Sequence, residues 1–143
     1  MQQTIITQSS KETFNLGKNL GQRFKGGEII ALIGELGAGK TVFTKGLAQG
    51  LGVKVNVISP TFTILKLYKI KSNVKKINYL CHIDAYRASS SDIKAIGAFD
   101  YIGRPDTITV IEWADRIHAI LPKNIVSVKI THLEEDKRKV LIK

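Results

Sequence analysis

A glycine-rich segment of this chain has residue types suited to holding phosphates. It reads Gly34-Glu35-Leu36-Gly37-Ala38-Gly39-Lys40-Thr41 and matches the Walker A pattern of phosphate-binding loops at every fixed position. Glycines let successive backbone N–H groups turn toward phosphate oxygens. Lys40 is long enough to reach the β- and γ-phosphates, and Thr41 offers a hydroxyl to Mg²⁺. The pattern therefore predicts a site for a nucleoside triphosphate with Mg²⁺.

Two acidic residues end apolar, strand-like runs and could supply the carboxylate that Mg²⁺ prefers. Glu112 ends the run Ile108-Thr109-Val110-Ile111. Asp84 ends a second run, where the strand period of two puts His82 and Asp84 on one face. Either acid could hold Mg²⁺ while the other orients an attacking water, and both assignments stay open here. Lys40, Asp84 and Glu112 are the candidate catalytic residues.

Hydroxyl and aromatic residues near these runs are further candidates. Ser59 and Thr61 flank Pro60 just before a strand-like run. Loop hydroxyls can sense a γ-phosphate, as switch threonines do in GTPases, but a proline turn before a strand explains the same residues equally well. Trp113 directly follows Glu112, where it would either pack near the nucleotide or fill the core.

The elements around the glycine-rich segment indicate how it is positioned. Ser9-Ser10-Lys11-Glu12 has the form of a capping box, which predicts a helix that stops at Gly26-Gly27. The run 28–33 is short and wholly apolar after its first residue, as in a buried strand. The segment Thr41 to Leu51 predicts a helix with Gly52 beyond its end. The phosphate-binding pattern thus lies between a strand and a helix, as it requires.

The rest of the chain predicts a mixed sheet. Strand-like runs follow at 62–70, 76–84, 107–112, 125–131 and 138–142, with short helices at 91–98 and 114–121. Lys71-Ser72-Asn73 is typical of a hairpin turn, and the last two strands form an antiparallel pair. We therefore expect one α/β domain, 1–143, of the P-loop NTPase type, with a mixed parallel and antiparallel sheet flanked by helices.

Composition adds a charge asymmetry. Lys and Arg number 22 against 12 Asp and Glu. From Leu36 to Ile83 there is no acidic residue, while eight lysines lie there: Lys40, Lys45, Lys54, Lys66, Lys69, Lys71, Lys75 and Lys76. Such a field attracts polyanions, including nucleotides and RNA, although lysines that decorate a solvated surface would look the same.

The remaining composition bears on the compartment. The one cysteine, Cys81, excludes an internal disulfide and agrees with a reducing compartment. Its surroundings indicate a buried strand thiol. No apolar run approaches the roughly 20 residues of a membrane span, and the polar start lacks the features of a signal peptide. We expect a cytoplasmic protein without a membrane segment.

Four segments, in their order and spacing, resemble the TsaE (YjeE) family. They are the Walker A segment, Ser59-Pro60-Thr61-Phe62-Thr63, His82-Ile83-Asp84-Ala85-Tyr86-Arg87 and Glu112-Trp113. The resemblance covers nearly the whole chain. The family comprises small bacterial P-loop ATPases required to make threonylcarbamoyladenosine in tRNA, so it implies ATP and Mg²⁺ as ligands.

The resemblance also implies roles for matching residues and partners. Leu36 to Thr41 would bind ATP, and Thr41 with Glu112 would ligate Mg²⁺. Asp84 would act near the metal or the water, and Thr61 would belong to a switch-like loop. Trp113 would lie near the nucleotide, and Ser10 would fall where the N-terminal segment approaches the base. The partners would be two proteins, TsaB and TsaD, on which ATP hydrolysis resets the complex for another round of tRNA modification.

Three other functions fit parts of the sequence. Asp100-Tyr101-Ile102-Gly103 fits a GTPase pattern, but no Asn-Lys-x-Asp guanine-reading segment exists in the chain. A small-molecule or nucleoside kinase could use Arg87, Arg104 and Arg116 as phosphate clamps, but 143 residues leave little room for an acceptor pocket and a lid. A basic RNA-binding module would explain the lysines and leave the Walker A segment without a purpose.

Overall fold

A computed structural model of the protein describes residues 2–71 and 76–143. Its strands are β1 (Gln3–Thr7), β2 (Ile29–Ile33), β3 (Leu65–Lys69), β4 (Tyr79–Asp84), β5 (Thr107–Glu112), β6 (Val126–His132) and β7 (Arg138–Ile142). Its α-helices are α1 (Ser10–Arg23), α2 (Lys40–Leu51) and α3 (Ser90–Ala95). Three 3₁₀ turns cover Ala98–Asp100, Ala114–Arg116 and His118–Ile120.

The strands form a seven-stranded sheet in the order β1-β7-β6-β2-β5-β4-β3. The four central strands β6, β2, β5 and β4 run parallel, whereas β3 pairs antiparallel with β4 at one edge. At the other edge, β7 and β1 add two antiparallel pairings. The expected α/β fold with a mixed sheet is thus confirmed.

Helical segments cover both faces of the sheet. On one face, Leu16 of α1 and Phe43 of α2 pack in a core with Leu32, Val110 and Leu80 of the sheet. On the other face, α3 and the 3₁₀ turns pack in a second core around Ile93. In β2, β4 and β5, alternate residues face opposite cores, as in parallel strands between two layers. In β6, Val128 and Ile130 are buried in the first core, whereas Lys129 and Thr131 on the opposite face are exposed.

The position of α2 depends on its close approach to α1. A Cβ placed on Gly46 would lie 1.9 Å from the carbonyl oxygen of Phe14, and one on Gly50 would lie 2.2 Å from that of Lys18. Glycine therefore lets the two backbones touch, and α2 holds the residues that follow the glycine-rich segment.

Several element boundaries differ from the sequence-based expectation. The predicted strand 62–70 is shortened to β3, because residues 60–64 form a turn in which Ile64 N donates to Pro60 O. The predicted helix 114–121 is two 3₁₀ turns, separated at Ile117, whose φ of −127° is not helical. The helix expected at 91–98 spans Ser90–Ala95, since Gly97 has a φ of +78°.

Other differences concern the two ends of the sheet. Strand β1 was not predicted, because its mostly exposed edge position produces no apolar pattern. The hairpin turn predicted at Lys71-Ser72-Asn73 lies outside the described residues. Strand β5 and the closing pair β6–β7 follow the prediction closely.

Cys81 is buried in β4, where burial raises the pKa of its thiol to about 12. It is therefore a protonated strand side chain, as predicted.

Within the described residues, no helix combines the length and apolar composition that a membrane crossing requires.

Candidate nucleotide-binding site

The candidate site lies where the carboxyl ends of the central parallel strands meet. The glycine-rich loop leaves the end of β2, and Asp84 and Glu112 end β4 and β5. Asp84 is in register with Glu112, which is in register with Leu32 of β2. Ligands of open α/β sheets bind beside the carboxyl ends of the strands. The topology therefore brings the residues predicted from two separate motifs to one edge.

The loop ends in a helix N-terminus without a side-chain cap. Gly39 precedes α2 with a φ of +107°, a conformation that favours glycine, and no side chain in the described part of the chain caps it. Gly39, Lys40 and Thr41 line a cleft of about 680 Å³, which we call the nucleotide cleft. The backbone N–H groups of a first helical turn lack intrahelical partners and carry partial positive charge. Such an end is suited to phosphate oxygens.

Lys40 is a buried cation in this cleft. It is 6% exposed, and its Nζ donates to the carbonyl oxygens of Gly34 and Glu35, the latter at 3.0 Å. Burial lowers the pKa of the Lys40 ammonium, although the Glu112 and Asp84 carboxylates act in the opposite direction. Its bonds within the described residues go to neutral carbonyls, so its charge can still be matched by an anion.

Glu112 is a buried carboxylate held by two donors. Its Oε2 lies 2.7 Å from His82 Nε2 and 3.2 Å from the Ser59 hydroxyl. Burial acts to raise the pKa of Glu112, but the hydrogen bonds from His82 and Ser59 and the charge of Lys40 more than offset it. The pKa of Glu112 is therefore held below its usual range, and the carboxylate is charged at neutral pH.

Asp84 is fixed by the backbone and by the switch-like hydroxyls. Its Oδ1 accepts from Tyr86 N at 2.9 Å, and its Oδ2 accepts from Ser59 at 3.2 Å and Thr61 at 3.4 Å. The Ser59 hydroxyl lies equally close to Glu112 but has one proton, so it donates to one carboxylate at a time. Ser59 thus lies against both carboxylates, and Thr61 lies against Asp84.

The donor set fits Mg²⁺. No group of three or more His, Cys, Asp and Glu residues suited to a metal occurs in the described part of the chain. Thr41, Asp84, Glu112 and Ser59 all line the nucleotide cleft and offer hard oxygens. Mg²⁺ is usually held by one or two carboxylates together with substrate phosphates and water, rather than by a complete protein cage. Two carboxylates and a loop threonine meet that requirement.

Trp113 lies between the nucleotide cleft and a second cleft of about 520 Å³ on the other side of the loop. Lys40 Nζ lies 4.1 Å from its ring centroid, and the Tyr86 ring lies 4.9 Å from it. The Arg116 guanidinium stacks near both rings. Trp113 therefore contacts Lys40 directly, rather than serving as core filler alone.

Some candidates lie away from this arrangement. Ser10, in the first turn of α1, is not among the residues that line either cleft. Arg104 pairs with Asp106 at 3.0 Å. Asp100 ends a 3₁₀ turn away from the clefts. Of the three arginines considered for a kinase, Arg87 lines the nucleotide cleft and is exposed.

Two contacts were not predicted from the sequence. The bond of His82 to Glu112 joins residues on neighbouring strands, although the period of two had already placed His82 beside Asp84. Arg138 of β7 donates from Nε to the carbonyl oxygen of Ala38 at 2.7 Å and from Nη2 to that of Gly37 at 3.4 Å. It braces the loop from 100 residues away, and no local pattern could have indicated this.

Comparisons with known proteins agree on one family. The family model described as Threonylcarbamoyl adenosine biosynthesis protein TsaE matches residues 7–140. The tRNA threonylcarbamoyladenosine biosynthesis protein TsaE of Aquifex aeolicus is 39% identical over 140 residues, covering 96% of this chain and 93% of its own. That of Treponema pallidum is 35% identical over 138 residues, covering 96% and 97%.

A solved structure supports the same assignment. The crystal structure of Bacillus subtilis YdiB is similar with a TM-score of 0.75 and 32% identity, over 99% of this chain and 84% of that one. The family match covers the glycine-rich loop, both strand-end acids and Arg138. The chain belongs to the TsaE family of threonylcarbamoyl adenosine biosynthesis proteins.

Proposed function

We propose that this chain binds ATP with Mg²⁺ in the nucleotide cleft and hydrolyses it slowly, in support of threonylcarbamoyladenosine modification of tRNA. The observation that carries the proposal is the uncapped N-terminus of α2 with buried Lys40, facing two buried carboxylates across one cleft. The Lys40 cation and the N-terminus of α2 suit phosphates, and the two carboxylates suit a hard metal ion. Membership of the TsaE family points to the pathway.

The chain's own residues divide the work of binding. Residues 34–41 would cradle the phosphates through backbone N–H groups, and Lys40 would exchange its carbonyl partners for β- and γ-phosphate oxygens. Thr41 and Glu112 would hold Mg²⁺, which when bound neutralises phosphate charge. Asp84, fixed by Tyr86 N and the switch-like hydroxyls, would orient the attacking water or a metal-bound one.

The arginines of the cleft support the proposal that hydrolysis is slow. Among the described residues lining it, Arg87 is exposed, and Arg138 already donates to the carbonyl oxygens of Ala38, Glu135 and Lys137. Neither is a buried, unengaged guanidinium that could stabilise the charge of the transition state. A partner would therefore complete the site, as arginine fingers supplied in trans do.

The family resemblance identifies the partners that we propose. They are TsaB- and TsaD-like proteins, with tRNA reached through their complex. We place the activity in the cytoplasm because its proposed pathway modifies tRNA.

The experiment is ATP hydrolysis by the purified protein, alone and with TsaB- and TsaD-like proteins from the same genome, with and without tRNA. We expect slow, Mg²⁺-dependent hydrolysis that rises when the complex is present. Robust phosphorylation of a nucleoside or other small acceptor without partners would instead establish the kinase alternative. Binding of tRNA by the chain alone, with no nucleotide binding, would establish the RNA-binding alternative.

A further inference from the structure

A third cleft, of about 600 Å³, lies between residues 54–60 and β3 and is strongly cationic. Four exposed lysines line it: Lys54, Lys66, Lys69 and Lys71. Its lining contains no acidic residue, and in the described part of the chain none of these lysines forms an ion pair. We call it the lysine cleft. Its positive charge is not compensated from within the described residues.

Large apolar side chains stand out from the fold beside this cleft. Val55 is 63% exposed, Ile58 66% and Phe62 90%. Among the described residues, Leu36 of the phosphate loop is the one other large apolar side chain above 60%. Val55 and Ile58 line the lysine cleft, and Phe62 precedes Thr63, which also lines it. Scattered apolar residues are normal on a protein surface, but exposed apolar side chains beside one charged cleft mark an interaction site.

The exposure of this segment is fixed by the structure. The Tyr68 hydroxyl accepts from Ile58 N at 3.1 Å and lies 3.2 Å from Ile58 O. Val57, next to Ile58, is 4% exposed and anchors the segment in the core. Tyr68 and Val57 therefore hold Ile58 outward, where a partner can reach it.

We propose that the lysine cleft, with Val55, Ile58 and Phe62, docks a protein surface that presents acidic side chains around an apolar centre. Interfaces commonly combine an apolar core with a polar rim, and complementary charges steer the encounter. A protein fits better than RNA, because single-stranded RNA is usually stacked on aromatic rings and arginines. Among the described residues, the lining of the cleft has no arginine and its one aromatic residue, Tyr68, is 4% exposed. The surface therefore offers a base the single exposed ring of Phe62, beside the aliphatic Val55 and Ile58.

The docking surface is linked to the nucleotide cleft through Ser59. This residue lines both clefts, and its hydroxyl lies 3.2 Å from the Asp84 and Glu112 carboxylates. A partner seated on Ile58 and Phe62 would contact the segment that places Ser59 and Thr61 against the acidic pair. This part of the inference rests on the proposed function. It assigns to residues 58–62 the contact through which the partner activates ATP hydrolysis.

The test measures binding of the purified TsaB- and TsaD-like complex to four variants by calorimetry at two salt concentrations. Lys66→Glu/Lys69→Glu and Phe62→Ser alter the surface. Lys94→Glu/Lys123→Glu makes the same charge change elsewhere, and Phe99→Ser removes another exposed aromatic side chain.

We expect both surface variants to bind the complex about tenfold more weakly or worse, and both control variants to bind it as the wild type does. The loss from charge reversal should shrink at high salt, whereas the loss from Phe62→Ser should persist. Nucleotide affinity should stay the same, because none of these residues lines the nucleotide cleft.

A second probe separates this inference from the proposed function. A synthetic peptide of Glu and Asp with central Leu and Phe residues is titrated into isotopically labelled protein and followed by NMR, beside a single-stranded RNA oligonucleotide. Peptide-induced shifts confined to the docking surface support the docking proposal, even if the TsaB- and TsaD-like complex fails to bind. Failure of the complex to bind would overturn the proposed partners instead. Surface variants that bind complex and peptide as the wild type does would overturn the docking surface. So would shifts at the lysine cleft caused by RNA and not by the peptide.

Discussion

At the scale of single residues, the site contains more buried negative charge than it balances. Asp84 and Glu112 are 6% and 4% exposed, and Lys40, the nearby buried cation, donates to loop carbonyls instead of to either acid. Buried charges are costly unless they are paired or coordinate a metal. The two carboxylates therefore favour a divalent cation, and the charge of Lys40 is left to match an anion.

We expect His82 to position Glu112 for that cation. His82 is 1% exposed, its Nε2 lies 2.7 Å from Glu112, and its Nδ1 has no hydrogen-bond partner within the described residues. His82→Leu should raise the Mg²⁺ concentration needed for half-maximal nucleotide binding by about tenfold or more, as loss of a residue that orients a metal ligand commonly does. The measurement is a Mg²⁺ titration of fluorescent nucleotide binding.

The matched control for that prediction is His82→Gln, because its amide nitrogen can donate from near the position of Nε2. For this variant, the Mg²⁺ concentration needed for half-maximal nucleotide binding should stay within a few-fold of the wild-type value. Thermal unfolding of both variants shows whether the fold is intact. If the leucine and glutamine variants shift the Mg²⁺ requirement equally, or neither does, His82 is a packing residue and the positioning role is wrong.

The main cleft-lining residues could be predicted from the sequence because each comes from a local pattern. The Walker A spacing identified Lys40 and Thr41, and acids that end apolar strands identified Asp84 and Glu112. These patterns converge because parallel strands end at one edge of the sheet. Arg138 and the His82–Glu112 bond depend instead on how distant strands are ordered and registered, which no local pattern encodes.

At the scale of elements, the site depends on how α2 is seated. Its N-terminus lines the nucleotide cleft, and its C-terminal half is packed against α1 at Gly46 and Gly50. Helix α2 was predicted almost to the residue, because the loop before it and Gly52 after it mark both ends. Its packing against α1 was not predicted, because a glycine in a helix indicates nothing by itself about which backbone approaches it.

Gly46→Ala should destabilise the protein. The added Cβ would lie 1.9 Å from the Phe14 carbonyl oxygen, so α1 and α2 must separate or shift. Overpacking of this kind costs about 1–3 kcal/mol, more than the gain in helix propensity from Ala, which is about 1 kcal/mol. Urea unfolding measures the free energy of unfolding, with Lys45→Ala, an exposed change in the same helix, as the control. A Gly46→Ala variant at least as stable as the wild type would contradict the close approach.

At the scale of the whole molecule, the sheet topology separates the nucleotide cleft from the lysine cleft. The nucleotide cleft lies at the carboxyl ends of β2, β4 and β5, and the lysine cleft lies against the edge strand β3. The segment 58–61 connects them. The positive charge of +10 over the chain favours association with polyanions and acidic surfaces, so it agrees with both proposed ligands, ATP and an acidic partner.

The central claim is that Lys40 and its loop bind a nucleotide whose Mg²⁺ is held by Glu112. Calorimetric titration of a non-hydrolysable ATP analogue, with and without Mg²⁺, tests it in the wild type, Lys40→Ala, Glu112→Gln and the exposed control Lys45→Ala. We expect Mg²⁺-enhanced binding in the wild type and the control. Lys40→Ala should bind at least about tenfold more weakly, the loss of a charge-assisted contact. Glu112→Gln should keep nucleotide affinity and lose its enhancement by Mg²⁺. Equal affinities in Lys40→Ala and the wild type, or an undiminished Mg²⁺ effect in Glu112→Gln, would contradict the account.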